Sequence, residues 1–279
     1  MKMTGQKIKE IFGPFAVYYV VYHAAFILLL LVLQSAAKLA GREWTAWTTP
    51  EQTAATGILG GISMVLGILP LLKALKKELS DRGETFIRTK DVVPQQTVDK
   101  KNSVQNGLVT VLAAVTASLG WNIVFSLSGL VQQSESYQDV ARNQYGVPLL
   151  AGVILYGIVS PFAEEIVFRG IIFNRLRKDF SVWGAVLLSG ILFGLYHGNL
   201  VQGVYGMLMG SLMAYLYARM ERFWIPCLFH MTANLTVYLT VQAPGIHEKV
   251  LTVPGAAIML CVLAVALVLT ERRYRKTMK

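Results

Sequence analysis

Charge is scarce in this sequence. Asp, Glu, Lys and Arg make up 15% of its 279 residues, against 54% hydrophobic residues and a mean hydropathy of +0.50. An ordinary soluble domain carries about 25% charged residues, so a single soluble domain is excluded as the default reading. Whole stretches hold no Asp, Glu, Lys or Arg: residues 14–36, 52–72, 105–134, 143–163, 180–218, 223–246 and 250–270. Each reaches the roughly 18 residues that a helix needs to cross a hydrocarbon core. Residues 180–218 are too many for one helix and suit a hairpin of two, turning near Gly198 and Asn199. The expectation is an all-α, polytopic membrane helix bundle with about eight transmembrane helices. The first of these is long, lacks a clear small-residue cleavage site and is followed by further spans, so it is expected to be retained rather than removed as a signal peptide.

Cysteine is nearly absent. Cys227 and Cys261 are the only two, and both fall inside apolar runs, which excludes a disulfide framework and a cysteine-based zinc site. Repeats and low-complexity blocks are also lacking. The one long polar segment, residues 73–102, mixes both signs of charge. It reads as a solvated helix or linker, and it divides the chain into an N-terminal two-helix membrane region (1–104) and a six-helix membrane core (105–279).

Net charge is +10, yet its distribution speaks for membrane orientation and not for nucleic acid. With both termini on the cytoplasmic side of the cell membrane, every Lys and Arg except Lys38, Arg42, Arg142 and Lys249 falls on the inner face, as the positive-inside rule requires. Small residues spaced four apart, Gly190 with Gly194 and Gly206 with Gly210, mark faces where helices in lipid approach closely.

Acid inside the apolar stretches is rarer still. Of 16 acidic residues, all but Glu164 and Glu165 sit in tails, in loops or at their borders with a helix. An ionisable group at membrane depth costs at least ~2.5 kcal/mol on insertion scales and marks a functional site by default. Glu165 has Arg169 four residues on, in the favourable order for a helical ion pair. Glu164 points about 100° away around the helix and has no cation one turn away. A desolvated carboxylate holds its proton more tightly, which suits it to take one from water. Two of the four histidines, His197 and His230, lie in later spans, and His230 shares a helical face with Asn234. Each alone reads more simply as an interhelical hydrogen-bonding group. Their convergence on an unneutralised glutamate requires the three helices to meet. His23 and His247 fall outside that set and read as structural or surface residues.

Counting rise along the helices leaves one tension. His197, near the far end of its span, stands deeper from the inner face than His230, near the start of its own, and tilted or broken helices are needed to bring them level.

In order and spacing, Glu-Glu-x-x-x-Arg at 164–169, Phe-x-x-x-His at 193–197 and His-x-x-x-Asn at 230–234 resemble the three motifs of the CPBP family, the CAAX proteases and bacteriocin-processing enzymes, also called Abi or type II CAAX prenyl endopeptidases. The resemblance covers roughly residues 146–242. It implies hydrolysis of a peptide bond within the membrane, in a peptide or membrane-protein substrate. Glu164 would activate water, Glu165 and Arg169 would orient the site, and His197, His230 and Asn234 would complete it, a His or Asn donor facing the developing oxyanion. Pro161 would weaken the helix just before the glutamates and admit water. Zinc is a possible cofactor, with Glu164, His197 and His230 as candidate ligands; the sequence lacks His-Glu-x-x-His, and a metal-independent glutamate mechanism is preferred. The competing readings are a non-catalytic scaffold or bacteriocin-immunity protein of the same fold, which would tolerate loss of Glu164, and a proton-coupled transporter, which would call for inverted repeats.

Overall fold

The computed structural model describes residues 4–83, 100–243 and 252–277, with 245 and 249 between them. His247, the end of the 223–246 run and residues 84–99 of the polar loop lie outside the described residues. All regular structure among the described residues is helical. In chain order the main elements are α1 (Gly5–Leu39), α2 (Thr49–Ile68), α3 (Leu72–Asp81), α4 (Lys100–Leu127), α5 (Glu135–Tyr145), α6 (Leu149–Asp179), α7 (Val182–Tyr196), α8 (Leu200–Met220), α9 (Trp224–Val241) and α10 (Val253–Thr277).

Six of these are long and apolar enough to cross a membrane: α1, α2 continued through α3, α4, α6, α8 and α10. Two further apolar helices fall short of that standard. α7 has 15 residues, and α9, with 18, is diluted by His230, Asn234 and three threonines. The outer surface explains the apolar composition. Val20, Leu28 and Val32 on α1 are 58–63% exposed, as is Ile258 on α10 at 59%. Apolar faces this extensive are stable against lipid and not against water.

Helix ends follow local chemistry. The side chains of Thr4, Ser134, Ser181 and Asn199 accept from backbone N–H groups in the first turns of α1, α5, α7 and α8, filling bonds that a helix start leaves open. Thr48 and Glu51 form a capping box at the start of α2. The expected hairpin turn is present: Gly198, at φ +74°, separates α7 from α8, a left-handed conformation in which a side chain would be strained.

α6 is the central element, and residues Ile166–Phe173 within it are all buried. α1, α3, α7 and α9 pack around it. α7 and α8 pack through the expected glycines: a Cβ on Gly194 would lie 2.3 Å from the Gly203 carbonyl oxygen, and one on Gly190 2.8 Å from that of Met207. Such contacts leave no room for a side chain, so backbones meet directly.

The start of the polar loop is a helix, as one of the two readings had it, but not a wholly solvated one. α3 buries Leu75, Glu78 and Leu79 against α6. Glu78, 3% exposed, accepts from Arg175 at 2.8 Å and Lys178 at 2.7 Å, so a clamp of charge-assisted bonds holds the end of α6. The expectation of full solvation failed because mixed charge hides an apolar stripe at helical spacing.

Candidate active site

The site begins with a defect in a helix. Pro161 has no N–H to give, and just before it α6 widens into a π-helical turn over Leu155–Val159, where the Ser160 N–H reaches five residues back to the Leu155 carbonyl. In that register the next donor would be residue 161 and its acceptor Tyr156. The missing bond is supplied from another helix: Asn234 Nδ2 donates to the Tyr156 carbonyl at 3.0 Å. A second π-helical stretch, Ile166–Phe173, follows the glutamates, and single π turns inside α-helices recur at functional sites. Pro161 therefore leaves α6 continuous, with one change of winding just before it and another after the Glu pair.

This assignment of Asn234 gives a test of stability. Asn234→Ala leaves the Tyr156 carbonyl unsatisfied and is expected to cost about 1–3 kcal/mol in denaturant titrations of the detergent-solubilised protein. In a Pro161→Ala background, where an N–H is restored, the same change costs less.

Glu165 and Glu164 have different surroundings. Glu165 is fully buried, and its Oε1 accepts from Arg169 Nη1 at 2.8 Å and faces His230 Nδ1 at 2.8 Å. Arg169, also fully buried, donates from Nη2 to the Gly210 carbonyl at 2.9 Å and lies over the Phe193 ring, Cζ 4.5 Å from the centroid. That contact depends on the small face of α8: a Cβ on Gly210 would sit 2.9 Å from Arg169 Nη2. Glu165 Oε2 and Arg169 Nε are buried without a hydrogen-bond partner among the described residues.

Glu164 is 5% exposed. Its Oε1 accepts from the Ser160 hydroxyl one turn earlier at 2.8 Å, and its Oε2 lies 3.7 Å from His230 Nε2. No Lys or Arg among the described residues pairs with it. Ser160 was passed over in the sequence, although its spacing of four before Glu164 places both on one helical face.

The two site histidines are held alike. His197 Nδ1 is 2.9 Å from the Phe193 carbonyl oxygen, and His230 Nδ1 faces the Glu165 carboxylate. Both partners are acceptors, so Nδ1 carries the proton in each ring and Nε2 is left for the site. Phe193 stands between the rings, edge-on to both, with centroids 4.9 Å from His197 and 5.4 Å from His230.

A cavity of about 240 Å³ collects these groups; Glu164, His197, His230 and Asn234 all line it, with Ser160 and Tyr156. The tension over depth is resolved by the shortness of α7: its 15 residues rise about 22 Å, less than the roughly 30 Å of a hydrocarbon core, so its last residues need not reach the far surface. His23, by contrast, bonds the Tyr19 carbonyl of its own helix at 2.8 Å. Cys227 is buried and Cys261 exposed, and neither is in a disulfide among the described residues.

For zinc, the donor types suit the metal, since two imidazoles with tethered Nδ1 atoms and a carboxylate are usual ligands. Their placement does not: among the described residues no group of three or more His, Cys, Asp or Glu side chains is arranged to hold a metal ion.

Residues 146–236 match the family model described as type II CAAX prenyl endopeptidase Rce1-like. Over that segment, about a third of its length, the chain is similar to the type II CAAX prenyl endopeptidases. Over 133 residues the chain is also 32% identical to a Bacillus subtilis (strain 168) protein named "Putative membrane peptidase YdiL". That match covers 48% of this chain and 54% of the relative, so the chain spans about half the length of the curated protein it resembles. No solved structure matches the chain. Within the matched segment lie all six candidate site residues named from the sequence, Glu164, Glu165, Arg169, His197, His230 and Asn234, together with Tyr156, Ser160 and Gly210.

Proposed function

We propose that the chain is an intramembrane endopeptidase that hydrolyses a peptide bond of a membrane-associated peptide or protein, with Glu164 activating the water. The observation that carries this reading is the asymmetry of the glutamate pair. Glu165 is neutralised by Arg169 and faces the His230 Nδ1 donor, whereas Glu164 borders the cavity with a hydroxyl as its hydrogen-bond donor.

In the proposed reaction a water beside Glu164 loses a proton to the carboxylate as its oxygen attacks the substrate carbonyl carbon. The tetrahedral intermediate collapses with cleavage of the C–N bond, and the proton passes from Glu164 to the departing nitrogen. Glu165 and Arg169 hold the His230 ring through Nδ1, so that Nε2 faces Glu164 and the water. Asn234 keeps one Nδ2 hydrogen for the Tyr156 carbonyl and has a second for the oxyanion. A neutral His197, with its proton on Nδ1, presents a bare Nε2 and donates to an oxyanion only as the imidazolium. These donors act in a site of low dielectric, where each is worth more than in water.

The family match supports peptidase chemistry, and the Lys and Arg distribution supports placing both termini on the cytoplasmic side of the cell membrane. Comparative peptidomics of cells carrying the wild type or Glu164→Ala tests the reading and names the substrate together: a set of cleavage products present only with the wild type supports it, and identical peptide sets overturn it. The metal-independent form of the mechanism predicts that activity survives exhaustive chelation. Stoichiometric zinc, lost together with activity in His197→Ala, would refute that form.

A further inference from the structure

A second cavity, of about 590 Å³, lies between α1, α2 and the π-helical turn of α6. It adjoins the catalytic cavity, because Tyr156 and Ser160 line both. Ser160 is the residue whose hydroxyl donates to Glu164. On the α2 side the lining is small and polar: Thr49, Thr53, Thr56 and Gly60 all border it, and their spacing of four, three and four residues keeps them on one helical face. The opposite face of α2 presents Ile58, Ile62 and Val65, each 44–46% exposed, as a lipid-facing surface should.

We propose that this second cavity is the route by which water reaches Glu164, with Ser160 as the positioning residue at its inner end. The proposal rests on the hydrolytic reading for its purpose. Hydrolysis consumes one water per turnover, and a substrate seated in the 240 Å³ catalytic cavity occupies the space through which water would otherwise arrive. The second cavity has room for several waters, each needing about 30 Å³. Its threonine face offers hydroxyls along the way. Ser160 suits the junction because a hydroxyl has one donor and two lone pairs: the donor is committed to Glu164, and the lone pairs can accept from water arriving on the α2 side. The π-helical turn fits as well, since irregular backbone at membrane depth is tolerated where it is buried in protein or lines a water-filled cavity.

Gly60 gives the test. A Cβ built on it meets no atom within 4 Å, so a side chain there enters open space without displacing protein. Gly60→Cys, in a Cys261→Ala background, is treated after folding with a charged, water-soluble methanethiosulfonate reagent, with Ile62→Cys as the lipid-facing comparison. The reagent reacts with thiolate, which forms in contact with water, so Gly60→Cys is expected to react at least about tenfold faster than Ile62→Cys. Labelling at 60, or Gly60→Phe, is then expected to lower kcat about tenfold with KM unchanged on every substrate cleaved, because transit of water is lost and not binding. Ile62→Phe leaves both constants unchanged. Equal labelling at 60 and 62 would overturn the proposal, as would an unaltered kcat when position 60 is filled. A rise in KM that depends on substrate length would also overturn it and mark the cavity as a substrate pocket. The labelling needs no substrate, so it stands apart from the hydrolytic reading, which fails separately if loss of Glu164 leaves cleavage unchanged.

Discussion

Glu164→Gln is expected to cut peptide cleavage by about 10²–10⁴-fold, the range over which a positioned general base acts, and to leave stability within about 0.5 kcal/mol of the wild type. The substitution is close to isosteric. The amide oxygen can still accept from the Ser160 hydroxyl, as Glu164 Oε1 does at 2.8 Å, so the helix keeps its local bond. What is lost is the ability to take a proton. Activity would be measured on a product-forming substrate in proteoliposomes, and folding by denaturant titration of the same preparation. The loss should appear in kcat more than in KM, because the interaction removed is made in the transition state. Ser160→Ala is a useful comparison: it removes an orienting bond without removing the base, and so should cost far less than Glu164→Gln. A Glu164→Gln variant that cleaves at the wild-type rate would remove the proposed base outright.

Much of this arrangement can be read from the chain itself. Scarcity of charge gives the membrane bundle, and the solitary Glu-Glu pair points to the candidate site, because ionisable groups at membrane depth are costly. The i, i+4 relation of Glu165 to Arg169 correctly separates the paired from the unpaired glutamate. Other features depend on three-dimensional context that periodicity does not carry. The run 105–134 breaks at Gly129, which adopts φ +77° after α4, and the run expected to start at residue 143 begins as helix only at Leu149, after Pro148. The absence of charge marks what lipid tolerates and not where a helix ends. The π-helical turns are illegible for a related reason: Pro161 announces a missing bond, but only the packed structure shows Asn234 filling it from α9. The participation of α1 and α2 is the largest omission. Their sequence carries no motif, yet Tyr22 on α1 and the threonine face of α2 border a cavity that reaches Ser160.

The second large effect concerns stability, and Arg169→Met should unfold the protein more readily than any other single change at the site. Arg169 and Glu165 are both fully buried, paired at 2.8 Å, and their Nε and Oε2 atoms have no hydrogen-bond partner among the described residues. A buried pair of this kind adds little net stability over apolar residues of equal volume, because desolvation offsets the attraction; removing one member, however, strands a buried charge and costs about 3–5 kcal/mol. Arg169→Met leaves Glu165 with His230 alone and also frees the Gly210 carbonyl from its bond at 2.9 Å. Arg169→Lys should rescue only part of the loss, since a single ammonium does not match the fork that reaches Glu165 and Gly210 together while lying flat over Phe193. The discriminating variant is the double change Arg169→Met with Glu165→Gln. It removes both charges, and in denaturant titrations it should lie at least about 2 kcal/mol above the sum of the two single losses. Its cleavage activity should nevertheless stay low, because His230 Nδ1 would then face an amide in place of the carboxylate that fixes its tautomer. Stability recovered without activity would separate the two duties of the pair, that of a clamp within α6 and that of an anchor for His230.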